Sequence, residues 1–129
     1  ASGPDILKVS NLRAGHRVRN VSIAVKPGEV VGIAGMVGSG RTEVAEVIFG
    51  VRDLDGGTIE FDGKPFDRRM PREAIRNGLG FLTENRKDEG LFLGLPISAN
   101  VMAPDLAGVT RRGLIDRRGE RDIALEQIN

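Results

Sequence analysis

Hydrophobic positions fall along the chain in short bursts separated by glycine and proline, and their spacing predicts alternating strands and helices. Ile6 to Leu12 alternates weakly and reads as a first strand, with Ala14-Gly15-His16 as a turn. Val18 to Val25 alternates with Val21, Ile23 and Val25 on one face, the mark of a half-buried second strand. Lys26-Pro27-Gly28-Glu29 is a tight turn with proline at a position that suits its fixed φ. Val30-Val31-Gly32-Ile33-Ala34 is a continuous apolar run and predicts a buried strand. Glu43 to Phe49 predicts a helix that ends before Gly50. Asp53 to Gly57 reads as a loop, Thr58 to Phe61 as a short strand, and Asp62-Gly63 as a hairpin-like turn. Pro71 to Asn77 predicts a short helix, since proline suits a first turn and Asn77-Gly78 its end. Leu79 to Thr83 predicts another buried strand, and Gly90 to Pro96 an apolar loop. Ser98 is placed to cap a short helix through Met102, and Asp116 to Asn129 reads as a charged amphipathic helix.

Composition narrows this picture. A chain of 129 residues with 40% hydrophobic content supports one domain with a real core. A net charge of +1 argues against a nucleic-acid binder driven by bulk electrostatics. The absence of cysteine excludes a disulfide framework and a thiolate metal site. No apolar stretch approaches the roughly 20 residues of a membrane span, and no signal peptide is visible. Residues 1–4, Ala1-Ser2-Gly3-Pro4, read as a linker and residues 5–129 as the folded part.

Between the predicted buried strand and the helix lies Gly35-Met36-Val37-Gly38-Ser39-Gly40-Arg41-Thr42. It meets the phosphate-loop frame Gly-x-x-x-x-Gly-Lys-[Ser/Thr] at Gly35, Gly40 and Thr42, with arginine in place of lysine. Strand, glycine loop and helix form the context in which backbone amides and a helix N-terminus make an anion nest. Turn glycines alone, or a dinucleotide fold, are the competing readings of Gly35, Gly38 and Gly40. The spacing to Thr42 favours phosphate.

Three blocks carry a family resemblance: Lys26 to Gly32, Gly35 to Glu43, and Phe81-Leu82-Thr83-Glu84-Asn85-Arg86-Lys87-Asp88-Glu89-Gly90-Leu91. Together they resemble the ATP-binding subunits of ABC transporters. More narrowly, the arginine of the loop, the glutamate two residues on and the Glu-x-Arg-Lys run look like the second nucleotide-binding domain of tandem ATPases that energise ribose, xylose or galactose import. The resemblance implies a phosphate-loop α/β fold of the ABC ATPase type: a mixed sheet with flanking helices and an antiparallel β portion. It implies ATP and Mg²⁺ as ligands and transport-coupled ATP hydrolysis by the parent protein. It also implies permease subunits, a first nucleotide-binding domain and, indirectly, a periplasmic sugar-binding protein as partners, with no nucleic acid, at the cytoplasmic face of the inner membrane. The family's Leu-Ser-Gly-Gly signature, acidic metal-binding strand and switch histidine have no counterpart here. The expectation is therefore an N-terminal part of such a domain, with no catalytic residue and no hydrolysis of its own.

The resemblance also assigns roles. Amides from Gly38 through Ser39, Gly40 and Arg41 to Thr42 cradle the β-phosphate, and the Thr42 hydroxyl ligates Mg²⁺. Arg41 stands in the lysine position, keeping the charge but presenting a larger planar fork. Glu43 takes the place of a small hydroxyl residue near the α-phosphate, where its charge suits the helix dipole but opposes a bound anion. The two substitutions predict a degenerate site that binds nucleotide weakly. Glu84 stands where the superfamily carries a glutamine and offers an oxygen ligand to Mg²⁺. An ion pair with Arg86 or Lys87 is the equal alternative for Glu84. Leu91, Phe92, Leu93 and Leu95 fall, by the same resemblance, near the groove for a permease coupling helix, with ordinary packing as the alternative. His16 lies where an adenine-stacking aromatic belongs, and a solvated turn histidine is the preferred reading. Arg111-Arg112 and Arg117-Arg118 read as a solvated helix face. A non-catalytic scaffold contacting the permease and the partner ATPase domain is the rival function, and a cytosolic ABC-type ATPase a more distant one.

Overall fold

β1, Leu7–Ala14, buries Val9, Leu12 and Ala14 on one face, and its alternation is interrupted by a bulge. The bulge lies between Val9 and Leu12, where Asn11 takes a φ of 52° and its amide bonds the Ser22 hydroxyl at 3.0 Å. An extra residue in one strand brings consecutive apolar positions back to the same face. β2, Val18–Val25, pairs antiparallel with β1 and sets Val9 opposite Ile23. The structure, a computed structural model, describes residues 3–67, 70–111 and 113–128. The sequence expectations for Ala1, Ser2, Arg112 and Asn129 fall outside those residues.

β3, Gly56–Phe61, lies on the other side of β1, with Ile59 opposite Val9. It begins at Gly56, inside the segment expected as a loop, because Gly57 takes a φ of 97° against the bulge. A Cβ on Gly57 would lie 2.5 Å from the Asn11 carbonyl oxygen, so only glycine lets these backbones approach. Asp62 and Gly63, both at positive φ, turn the chain into β4, Lys64–Pro65, as the hairpin reading predicted. The sheet order is β2-β1-β3-β4, antiparallel throughout.

α1, Arg41–Phe49, lays Val44 and Val47 on this sheet, and Gly50 at φ 89° ends it by donating to Glu46 and Val47 carbonyls. Fully burying each such aliphatic side chain contributes about 1.5–3 kcal/mol. α2, Pro71–Arg76, buries Ala74 in the same core, which also takes in Phe66 and Ile59. Phe81 stacks on Phe49 with ring centroids 5.3 Å apart. These elements form one compact unit, residues 1–81.

Two expected core strands are not formed. Residues 30–34 join neither sheet, and Val30, Val31 and Ile33 are exposed. Residues 79–83 are likewise outside both sheets, with Leu82 exposed. A strand buried on both faces needs hydrogen-bonded neighbours on its edges and helices over its faces. Among the described residues none pairs with either run.

Residues 82–129 make a second unit. Arg86–Gly90 forms a π-helical turn followed by the apolar loop 91–96. α3, Ile97–Met102, is entered by Pro96, and the Asn100 side chain ties down the Phe92, Leu95 and Pro96 carbonyls. Ser98 is not its cap: it lies inside the helix and donates to Glu120 at 2.8 Å. A 3₁₀ stretch, Ala103–Val109, leads to the hairpin of β5, Thr110–Arg111, and β6, Leu114–Ile115. α4, Arg117–Ile128, starts where Asp116 accepts the Arg118 and Gly119 amides at 3.1 and 3.2 Å. Glu120 is buried, and its partners are Ser98 and Arg117.

Candidate phosphate site

The loop from Gly35 to Gly40 turns on its glycines. Gly38 has a φ of 82° and Gly40 of 95°, a region L side chains rarely adopt. The Ser39 amide donates to the Met36 carbonyl at 3.1 Å and closes the turn. A Cβ on Gly35 would collide with the Ser39 hydroxyl, and the Arg41 stem lies against the same glycine. Gly40 is also backed by Arg17, whose carbonyl oxygen would be 3.1 Å from an added Cβ. Gly38 and Gly40 are thus required by conformation, and Gly35 and Gly40 by close approach.

Gly40 is the N-cap of α1 and makes no side-chain cap hydrogen bond. The helix dipole and a cap without a side chain favour an anion at this end. Gly35, Gly38, Ser39, Gly40, Arg41, Thr42 and Glu43 are all brought together here, on a continuous turn and first helical turn. Arg41 is exposed, and Thr42 and Glu43 are half-buried. The residues present fit a polyphosphate: a loop turned by glycines at positive φ, a helix start whose cap carries no side chain, and one cation.

Glu43 has a partner that sequence spacing does not suggest. Arg17, in the turn between β1 and β2, places Nη1 2.5 Å from Glu43 Oε1. That hydrogen bond, helped by the residue's own backbone amide, holds the Glu43 carboxyl below its ordinary range. The pair spans 26 residues in a chain rich in arginine, and no local pattern marks it. His16, beside it, is exposed, and its carbonyl accepts from Arg19 at 2.8 Å, in keeping with a solvated turn residue.

Glu84 belongs to the second unit, at the start of the segment leading to the π-helical turn. The hydroxyl of Thr83 beside it is buried and makes no hydrogen bond among the described residues. No cluster of three or more His, Cys, Asp or Glu able to hold a metal ion occurs among the described residues. Leu91, Phe92, Leu93 and Leu95 are all exposed. Arg111 pairs with Asp116 at 3.3 Å and Arg117 with Glu120 at 3.3 Å, so these basic residues serve the second unit itself. No helix among the described residues is long and apolar enough to cross a membrane.

Comparison with known proteins places the chain in a family. The ABC transporter family profile matches residues 18–127. The ribose import ATP-binding protein RbsA of Yersinia pestis is 52% identical over 123 residues, 95% of this chain and 24% of that protein. A putative ribose/galactose/methyl galactoside import ATP-binding protein of Rhizobium meliloti is 43% identical over 123 residues, 95% of this chain and 25% of that protein. The chain thus spans about a quarter of the length of these relatives. Among solved structures, the ATP-binding cassette MJ0796, in a dimer bound to ADP and Pi, superposes with a TM-score of 0.68 at 24% identity, covering 93% of this chain and 54% of that one. That likeness establishes the phosphate-loop ABC ATPase fold. With a glycine cradle at the head of α1 and a family match across most of its length, the chain belongs to the ABC transporter family.

Proposed function

We propose that this chain is the nucleotide-binding part of an ATPase subunit that energises sugar import, taking Mg-ATP at residues 35–43. The observation that carries the reading is the glycine cradle of Gly35, Gly38 and Gly40 at an uncapped helix start, in a chain similar to ribose import ATP-binding proteins. Backbone amides of Gly38, Gly40, Arg41 and Thr42 hold the β-phosphate, while that of Ser39 is committed to the Met36 carbonyl, and Arg41 supplies the cation. Thr42 is the proposed protein ligand of Mg²⁺ in the first unit, and Glu84 of the second is proposed, separately, as a carboxylate able to ligate the ion. The bound ion would neutralise phosphate charge. No residue here is assigned to the hydrolytic step, so turnover belongs to the larger protein. Its partners are proposed to be permease subunits, which the exposed Leu91, Phe92, Leu93 and Leu95 would face, and a first nucleotide-binding domain. A sugar-binding protein acts indirectly, and the place of action is the cytoplasmic face of the inner membrane.

The site is proposed to be degenerate. Arg41 cannot act as the compact point charge that lysine provides, and Glu43 brings a carboxylate to the same helix turn. Calorimetric titration of Mg-ATP into the full-length protein and its Arg41→Lys variant tests this. Weak binding that tightens about fivefold or more with lysine is the expected result. Absence of binding in both proteins would replace this reading with that of a scaffold contacting the permease, which the charge of Glu43 favours.

A further inference from the structure

The turn between β1 and β2 is seated on the phosphate loop by two different contacts. The backbone carbonyl of Arg17 backs Gly40 closely, and its guanidinium holds Glu43 at 2.5 Å. Glu43 is the residue that sets this loop a problem. The N-terminus of a helix stabilises one anion readily, but two anions at the same turn repel each other. The Glu43 side chain is only 14% exposed, so water and salt screen its charge less than they would on an open surface. A bound polyphosphate would meet that repulsion unless the carboxylate were compensated.

We propose that Arg17 is a positioning residue of the phosphate site, compensating Glu43 so that a loop carrying a carboxylate still accepts the polyphosphate of a nucleotide. The proposal rests on the nucleotide-binding reading of the preceding subsection. In this role Arg17 acts through Glu43. It also differs from a general stabiliser of the turn, because its effect on binding exists only while Glu43 is charged.

The test is a set of Mg-ATP titrations on the full-length protein, with circular dichroism confirming the fold of each variant. Arg17→Ala is expected to weaken binding at least fivefold. Adding Glu43→Gln to that variant is expected to restore wild-type affinity or better. Glu43→Gln alone, which leaves the turn contacts of Arg17 in place, is expected to tighten binding at least threefold. Arg17→Lys, which keeps the positive charge beside Glu43, is expected to keep affinity within about twofold, and a loss of about fivefold in this well-folded variant would overturn the proposal where Arg17→Ala disturbs the fold. Unchanged affinity in Glu43→Gln, or a loss in Arg17→Ala that Glu43→Gln does not recover, would overturn the proposal while leaving nucleotide binding intact. Absence of Mg-ATP binding in the wild-type protein would instead defeat the nucleotide reading and this inference with it.

Discussion

Gly40 combines a φ of 95° with a neighbouring carbonyl oxygen 3.1 Å from where a Cβ would stand. Alanine there adds left-handed strain of about 1–3 kcal/mol and pushes Arg17 away from the loop. We expect Gly40→Ala to weaken Mg-ATP binding at least tenfold in calorimetry and to lower the melting temperature of the full-length protein. Asp116 is a second position where one side chain has a defined duty. Its carboxylate accepts two amides at the start of α4, chiefly that of Gly119, and these bonds hold it below the ordinary carboxyl range. The folded state therefore binds the proton less readily than the unfolded chain. The cap's contribution is full above the unfolded pKa and disappears as pH falls through the lower folded one. Acid titration of thermal stability should show wild-type losing more than Asp116→Asn below about pH 4, while Asp116→Ala at neutral pH melts a few degrees lower. The helix start at Asp116 was legible in sequence. The Arg17–Glu43 pair was not, because an ion pair between a turn and a helix 26 residues away has no period to read.

At the scale of elements, helices and hairpins followed local rules. Gly50 ends α1, Pro71 opens α2 and Asp62-Gly63 turns β3 into β4, each because the residue supplies a dihedral others resist. The sheet depends on a less visible device, the fit of the Asn11 bulge onto Gly57. Gly57→Ala would bring a Cβ within 2.5–2.7 Å of three backbone atoms at positive φ. We expect it to destabilise the first unit by more than about 2 kcal/mol, read as a shift of the urea midpoint. Leu12→Ala, at a side chain with 0% exposure, should cost about 3 kcal/mol by the same measurement. Ser98 shows the opposite lesson. A hydroxyl near a helix start reads as a cap, yet here it satisfies the buried carboxylate of Glu120, because a buried charge without a partner costs more than an absent cap.

At the scale of the molecule, the unpaired apolar runs dominate. Val30 is 97% and Leu82 96% exposed, although both lie in segments patterned for burial. Backbone amides without sheet partners exchange with solvent freely. Hydrogen exchange on this 129-residue chain should therefore find residues 30–34 exchanging at near-peptide rates, while Val9 and Ile59 remain protected. Protection at 30–34 equal to that of Val9 would show that these residues pair in a way the present fold lacks.

The sequence by itself determined the features whose physics is local: the turn glycines, the helix boundaries, the alternation of β2 and the spacing of the phosphate loop. Each depends on dihedral freedom or periodicity within a few residues. Only the tertiary structure decided which apolar runs become strands, since strand hydrogen bonds belong to a partner whose position the run does not encode. It alone also placed Arg17 on Glu43, because the charges that meet in space are set by how β1 and β2 pack beneath α1.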